Sequence, residues 1–252
     1  MQNLKFSEAF AIMKQNKSFM FLFMAFALMF GFYVALGNLI SSIFTPFDLT
    51  AHDIAMVGLY LLGSGVVGAI LIGTWVDRTG LYKMTMIILG IANIVFLGLL
   101  NQTLYHIEES KTLFLVSACL MGFTSVSYIP LSLSFAAELT FPLQPALVNG
   151  ALVLGGQSAA FVMSIIFAFM LDINVYQEDG TLIPEDVLKH SQADRAWWTI
   201  FCFCIISSVS FCLSLFVKED LRRVRFGKGE QLPSEADQGI AIEDKEDGFQ
   251  KL

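Results

Sequence analysis

Charge is scarce in this sequence, and the long apolar runs contain none of it. Asp, Glu, Lys and Arg make up 15% of the 252 residues, where ordinary soluble domains carry about 25%. No Asp, Glu, Lys, Arg or His falls within residues 19–42, 54–76, 84–100, 113–137, 147–171 or 197–216. That argues against a proton relay built on buried carboxylates. The three histidines, His52, His106 and His190, stand between those runs. An intramembrane serine protease needs a base beside its serine at depth, so that class goes too, and Gly63-Ser64-Gly65 reads as a helix-packing triplet. Four cysteines, Cys119, Cys202, Cys204 and Cys212, all lie inside apolar runs, where no disulfide framework forms. Cys202 and Cys204 are two residues apart, hence on different faces of a helix, and make a poor metal pair. The sequence points to no enzyme, no cofactor and no metal. It also lacks the basic face with interleaved aromatics that nucleic-acid binding requires.

What is abundant is apolar. Hydrophobic residues are 56% of the chain, with 24 Phe, and the six uncharged runs are each of a length to cross a hydrocarbon core of ~30 Å. The fold class is therefore all-α, a polytopic membrane protein with a six-helix bundle over residues 19–217. Residues 1–18 carry Lys5, Lys14 and Lys17 among Phe6, Phe10, Ile12 and Met13, an amphipathic lead-in at the membrane surface. Residues 218–252 are polar and acidic, a tail expected to be mostly disordered. With the N-terminus cytoplasmic, twelve of the fifteen Lys and Arg fall on the inner side; only Lys111, Lys189 and Arg195 fall outside. Both termini then face the cytoplasm. The connection 172–194 becomes the longest outer loop, a solvated acidic cap or a vestibule that attracts substrate. Asn101-Gln102-Thr103 is an N-glycosylation pattern on the outer side, close against the third run.

Within the second run Gly65, Ala69 and Gly73 recur at i, i+4 and i+8, a small-residue stripe that lets another helix approach closely. That run ends in Asp77-Arg78 before a short turn to Lys83, and the fourth run ends on the same side at Glu138. A carboxylate at the membrane edge is stabilised by a nearby guanidinium, so Arg78 and Glu138 are expected to pair and hold the inner face shut, with Asp77 and Lys83 in the same network. The alternative for Glu138 is a solvated interfacial acid. Intramembrane polar groups tend to face a bundle interior or a watery path. Tyr33 lies between Gly31 and Gly37, where the backbone can unwind and the ring turn inward; aromatic faces bind desolvated ammonium groups. Gln157, beside Gly155, Gly156 and Ser158, offers an amide to a hydroxyl or an ammonium. Tyr128, next to Pro130 at an expected kink, and Asn38 complete the candidate substrate path. For each, a bond between helices is the alternative.

The run Gly73, Asp77, Arg78, Gly80 and Lys83 resembles the inter-helix loop motif of the major facilitator superfamily. With Gly58, Gly65, Gly68, Trp75 and Tyr82 it is similar to the eighth helix and following loop of one branch, the feline leukaemia virus subgroup C receptor-related transporters. Tyr128-Ile129-Pro130-Leu131 and Phe135-Ala136-Ala137-Glu138-Leu139-Thr140-Phe141-Pro142 resemble that family's tenth helix and the turn after it. Gly150 and Gln157 fall at the spacing of its eleventh helix, and Asp220-Leu221-Arg222-Arg223 looks like its cytoplasmic exit. The sequence departs from the family at Ile40-Ser41, Leu143 and Val153.

The resemblance implies the C-terminal half of a twelve-helix transporter. It implies transport of a small organic solute by alternating access, of choline or ethanolamine type, with Tyr33 as the aromatic wall and Gln157 as a polar contact opposite. Haem suits these runs less, because they offer no axial histidine. Alternating access needs a second bundle. The expected partners are the lipid bilayer, the solute, and an N-terminal six-helix half or a second copy. Either the sequence is one part of a longer chain, or it pairs with another. The competing class is a non-transporting interaction protein that binds a transporter and modulates it.

Overall fold

The structure, a computed structural model, describes residues 13–172 and 185–218, with backbone alone at 108–110, 185 and 186. Among the described residues six helices are long and apolar enough to cross a membrane. They are α1 Lys17–Phe44, α2 Ala51–Thr79, α3 Tyr82–Thr103, α4 Ile107–Leu139, α5 Pro145–Leu171 and α6 Glu185–Leu215. Among the described residues there is no β-strand. Residues 1–12 of the lead-in and 219–252 of the tail lie outside the described residues.

Local chemistry marks the starts of α1, α2 and α5 and the end of α2. Asn16 caps α1, its side-chain oxygen accepting from the Phe19 N–H at 3.2 Å. Its amide also donates to the Leu139 carbonyl at 3.1 Å, so the same side chain fastens the start of α1 to the end of α4. The close of the lead-in is thus built into the bundle, with Met13 2% exposed. Thr50 and Asp53 form a reciprocal capping box at the start of α2. Gly80 ends that helix at φ +69°, a left-handed conformation that costs glycine nothing. Pro145 opens α5, where its missing N–H would have no helical partner.

Four helices close a ring and two stand outside it. α1 meets α4 at Phe44 and Phe114, whose rings are edge-on with centroids 5.4 Å apart. α4 packs on α3, α3 meets α6 where Gly90 lies against Phe211, and α6 returns to α1 through Phe32 and Phe203, 6.0 Å between centroids. α2 flanks the ring on α4, and α5 flanks it on α1. Their apolar stretches are the least buried, 28% and 22%, against 56% for α1 and 50% for α4. Contacts advance together along α2 and α4 (Leu61 on Gly122, Gly68 on Ser127) and along α1 and α5 (Phe23 on Gly155, Gly31 on Ala159). Each flanking helix therefore runs parallel to the one it covers. Only α3 and α4 pack extensively on a neighbour in sequence.

Two expectations are corrected. The small-residue contact of α2 is Leu61, Gly65 and Gly68, all buried, and a Cβ on Gly73 would meet nothing within 4 Å. At 3.6 residues per turn, a position i+7 returns to within about 20° of the start, while i+8 is rotated by about 80°. The second concerns the outer connection: residues 185–194 are not loop but the first turns of α6. Pro184 precedes them, and Leu, Lys, Gln and Ala without an internal Gly or Pro favour helix.

Candidate functional site

The extension of α6 beyond the apolar run spreads over the end of the bundle that holds the α1–α2 turn and the α3–α4 corner. Lys189 binds Asp48 in the α1–α2 turn. Tyr105, at the α3–α4 corner, donates to Asp194 at 2.6 Å, and Arg195 donates to the Asp172 carbonyl at the end of α5 at 2.6 Å. A separate ion pair, Lys111 with Asp53 at 2.7 Å, joins the starts of α4 and α2. All these contacts sit at one end. At the other end Asp77 and Arg78 are exposed in the last turn of α2, Lys83 is half-buried at the start of α3, and Glu138 is 6% exposed. Among the described residues no ion pair within 4.0 Å joins Arg78 to Glu138.

At mid-depth the candidate residues distribute over two helices. Tyr33 is half-buried on α1 and packs against the core of the ring. The backbone does not unwind beside it, because α1 is continuous from Lys17 to Phe44. Gly31 instead seats α5: a Cβ there would lie 3.1 Å from the Ala159 Cβ and from the Met163 Sδ. The rings of Phe23, Phe26 and Phe30 cover Gly155 and Gly156 in the same seam. Gln157 follows these glycines and is exposed. Gly150, Gln157 and Ser164 repeat every seven residues and share one face of α5. Asn38 of α1 reaches that face, its amide donating to Ser164 Oγ at 3.1 Å. Asn38 and Tyr33, five residues apart, point about 140° away from each other around α1. The structure therefore joins Asn38 to α5 and leaves Tyr33 on the α4 side of the same helix. No hydrogen bond links Tyr33 to Gln157 among the described residues.

Tyr128 does not line an open path in this structure. It is 2% exposed, inside the ring, with Pro130 carried within an unbroken α4. The glycosylation pattern is likewise closed off, with Asn101 2% and Thr103 5% exposed in the last turn of α3.

A buried polar cluster at mid-depth centres on a residue that the sequence does not single out. Asn93 of α3 is fully buried. Its amide donates to Thr124 Oγ1 at 3.1 Å and to Ser125 Oγ at 2.5 Å, both on α4. Its carbonyl oxygen accepts from Ser207 of α6 at 2.9 Å. A lone Asn in the third apolar run, with serines at 207, 210 and 214 on one face of the sixth, was the available signal.

No protein-family model matches the chain. It is 25% identical over 209 residues to an uncharacterised MFS-type transporter of Caenorhabditis elegans, covering 82% of this chain and 32% of that protein. It is 28% identical over 209 residues to a choline/ethanolamine transporter of Danio rerio, 82% of this chain and 40% of the relative. To a human choline/ethanolamine transporter it is 27% identical over 215 residues, 85% and 37%. The resemblance to facilitator-superfamily transporters of this branch is borne out. The chain spans about a third of the length of the curated relatives it matches.

Proposed function

We propose that this relative of the choline/ethanolamine transporters is one lobe of an alternating-access carrier for a small organic cation. The match to such transporters over more than four-fifths of the chain carries the reading, and the relatives' names favour transport over a modulator or an enzyme. The six-helix lobe, residues 19–217, supplies a wall without charges, in which Tyr33 offers its ring to the ammonium and Gln157 its amide to the hydroxyl or amine. Such a wall suits a quaternary or primary ammonium better than haem, whose propionates ask for a basic clamp. Tyr128 and Asn38 stay secondary, the first as a residue uncovered only in another conformation, the second as the tie between α1 and α5.

The solute site is completed by a second bundle, an N-terminal six-helix half or a second copy, packed on the exposed apolar faces of α2 and α5. Both chain ends face the cytoplasm, as the distribution of Lys and Arg requires. Asp77, Arg78, Lys83 and Glu138 then lie at the inner edge, where Arg78 and Glu138 pair as that edge closes. Radiolabelled choline, ethanolamine and haem, offered to cells with and without a co-expressed six-helix N-terminal half of a relative, test the reading. Uptake of choline or ethanolamine above background with the half present is expected. Uptake of neither, with both halves in the membrane, would end it.

A further inference from the structure

Asn93 uses every hydrogen-bonding group it has. Both amide hydrogens go to α4, at Thr124 and Ser125, and the carbonyl oxygen takes the Ser207 hydroxyl of α6. α6 in turn grips α1 on two successive turns. Ser207 Oγ lies 3.9 Å from the Met29 sulfur, and Ser210 donates to the Ala25 carbonyl at 2.7 Å. One side chain of α3 is thus bonded directly to α4 and, through Ser207, to α6, which is itself bonded to α1 by Ser210 three residues on. Dispersion contacts between apolar helices in lipid tolerate sliding and rotation, whereas a bond of this kind holds one register. The opposite face of the same α4 turn carries Val126 and Ser127, pressed on the backbone of Gly65 and Gly68 of α2. Tyr33 stands one turn along α1 from Met29.

We propose that Asn93 is a positioning residue of the carrier. From within the ring it ties α3 to α4 and α6, and so fixes the separation and register of α1 and α4 and the placement of the Tyr33 ring. This rests on the transport reading for its consequence, but not for its geometry, and the two are tested apart. In a chain with its four cysteines replaced by alanine, spin labels go on cysteines introduced at Met24 of α1 and Ser134 of α4, both exposed. Asn93→Ala is expected to broaden or shift the interspin distance distribution, with no solute present. Ser207→Ala, which removes one of the three bonds and is milder on folding, should do so less. In the complete assembly Asn93→Ala should raise the KM for choline roughly three- to tenfold, less than the full loss of three interhelical bonds would give, because only part of it reaches the Tyr33 ring. On a Tyr33→Ala background it should add little, because both changes act on the same ring. An unchanged distance distribution in both variants overturns the proposal whatever happens to uptake. So does a changed distribution with KM unaltered where Tyr33→Ala does raise KM, since a merely structural bond would lower only the amount of protein or the maximal rate. If Tyr33→Ala itself leaves KM unchanged, the solute-site reading fails, and the distance distribution alone decides for Asn93.

Discussion

A ring face presented to a desolvated ammonium contributes about 1–2 kcal/mol, and in the proposed solute site Tyr33 is the side chain that supplies it. Tyr33→Ala in the complete assembly should weaken choline affinity roughly 5- to 30-fold, read as a rise in the KM of uptake; Tyr33→Phe should keep most of it. An unchanged KM in Tyr33→Ala would remove the ring from the site. At the α2–α3 turn, on the proposed gating reading, Arg78→Glu should slow the transport cycle and adding Glu138→Arg should partly restore it. A coupling of at least about 0.5 kcal/mol in that double-mutant cycle is expected, and strict additivity would return Glu138 to the role of an interfacial acid. Single polar residues in apolar runs were visible in the sequence, but not their direction. Tyr128 and Tyr33 look alike there. The first turns into the ring and the second stays half open, and only the packing of α3 and α6 behind α4 decides which. Asn93 is not legible in the sequence for the same reason: its three partners come from two other helices, 31, 32 and 114 residues along the chain.

At the scale of the helix, the sequence reading succeeded wherever the period alone decides. The six apolar runs are the six helices, and the Asp77–Lys83 break is the α2–α3 turn, capped at Gly80. It failed where the tally of small residues stood in for rotation, placing Gly73 on the seam. Two glycines make the difference measurable. A Cβ on Gly122 would lie 2.1 Å from the Leu61 carbonyl oxygen, a backbone atom that cannot step aside. Gly122→Ala should therefore force α2 off α4 and cost about 1–3 kcal/mol, seen as a lower unfolding temperature in detergent. Gly73→Ala, with open space around it, should be neutral or slightly stabilising through helix propensity. The start of α2 offers a further check. Removing the reciprocal cap with Thr50→Ala should cost about 1 kcal/mol, in the same unfolding assay. The early start of α6 was not legible from apolarity, because its first turns are polar and owe their place to Asp48, Tyr105 and Asp172 on other elements.

Across the whole molecule the two described ends come together. The Lys218 N–H lies 3.4 Å from Ser18 Oγ, and the rings of Phe21 and Phe216 are 5.6 Å apart. Cysteines introduced at Ser18 and Lys218 should react with a membrane-impermeant thiol reagent from the same side, and cysteines at Asp48 and Lys189 from the other. Reaction of the first two from opposite sides would break the bundle as drawn. The parallel pairing of α1 with α5 has a consequence for biosynthesis. The bond from Asn38 to Ser164 spans 126 residues. A ribosome adding ~5–20 residues per second thus leaves the first helix waiting roughly 6–25 s for the partner that fills its seam. During that interval the glycine seat and the Asn38 amide of the nascent helix lack the α5 partner they have in the folded bundle. A variant that speeds elongation between residues 44 and 145 should shorten this exposure and raise the yield of inserted protein.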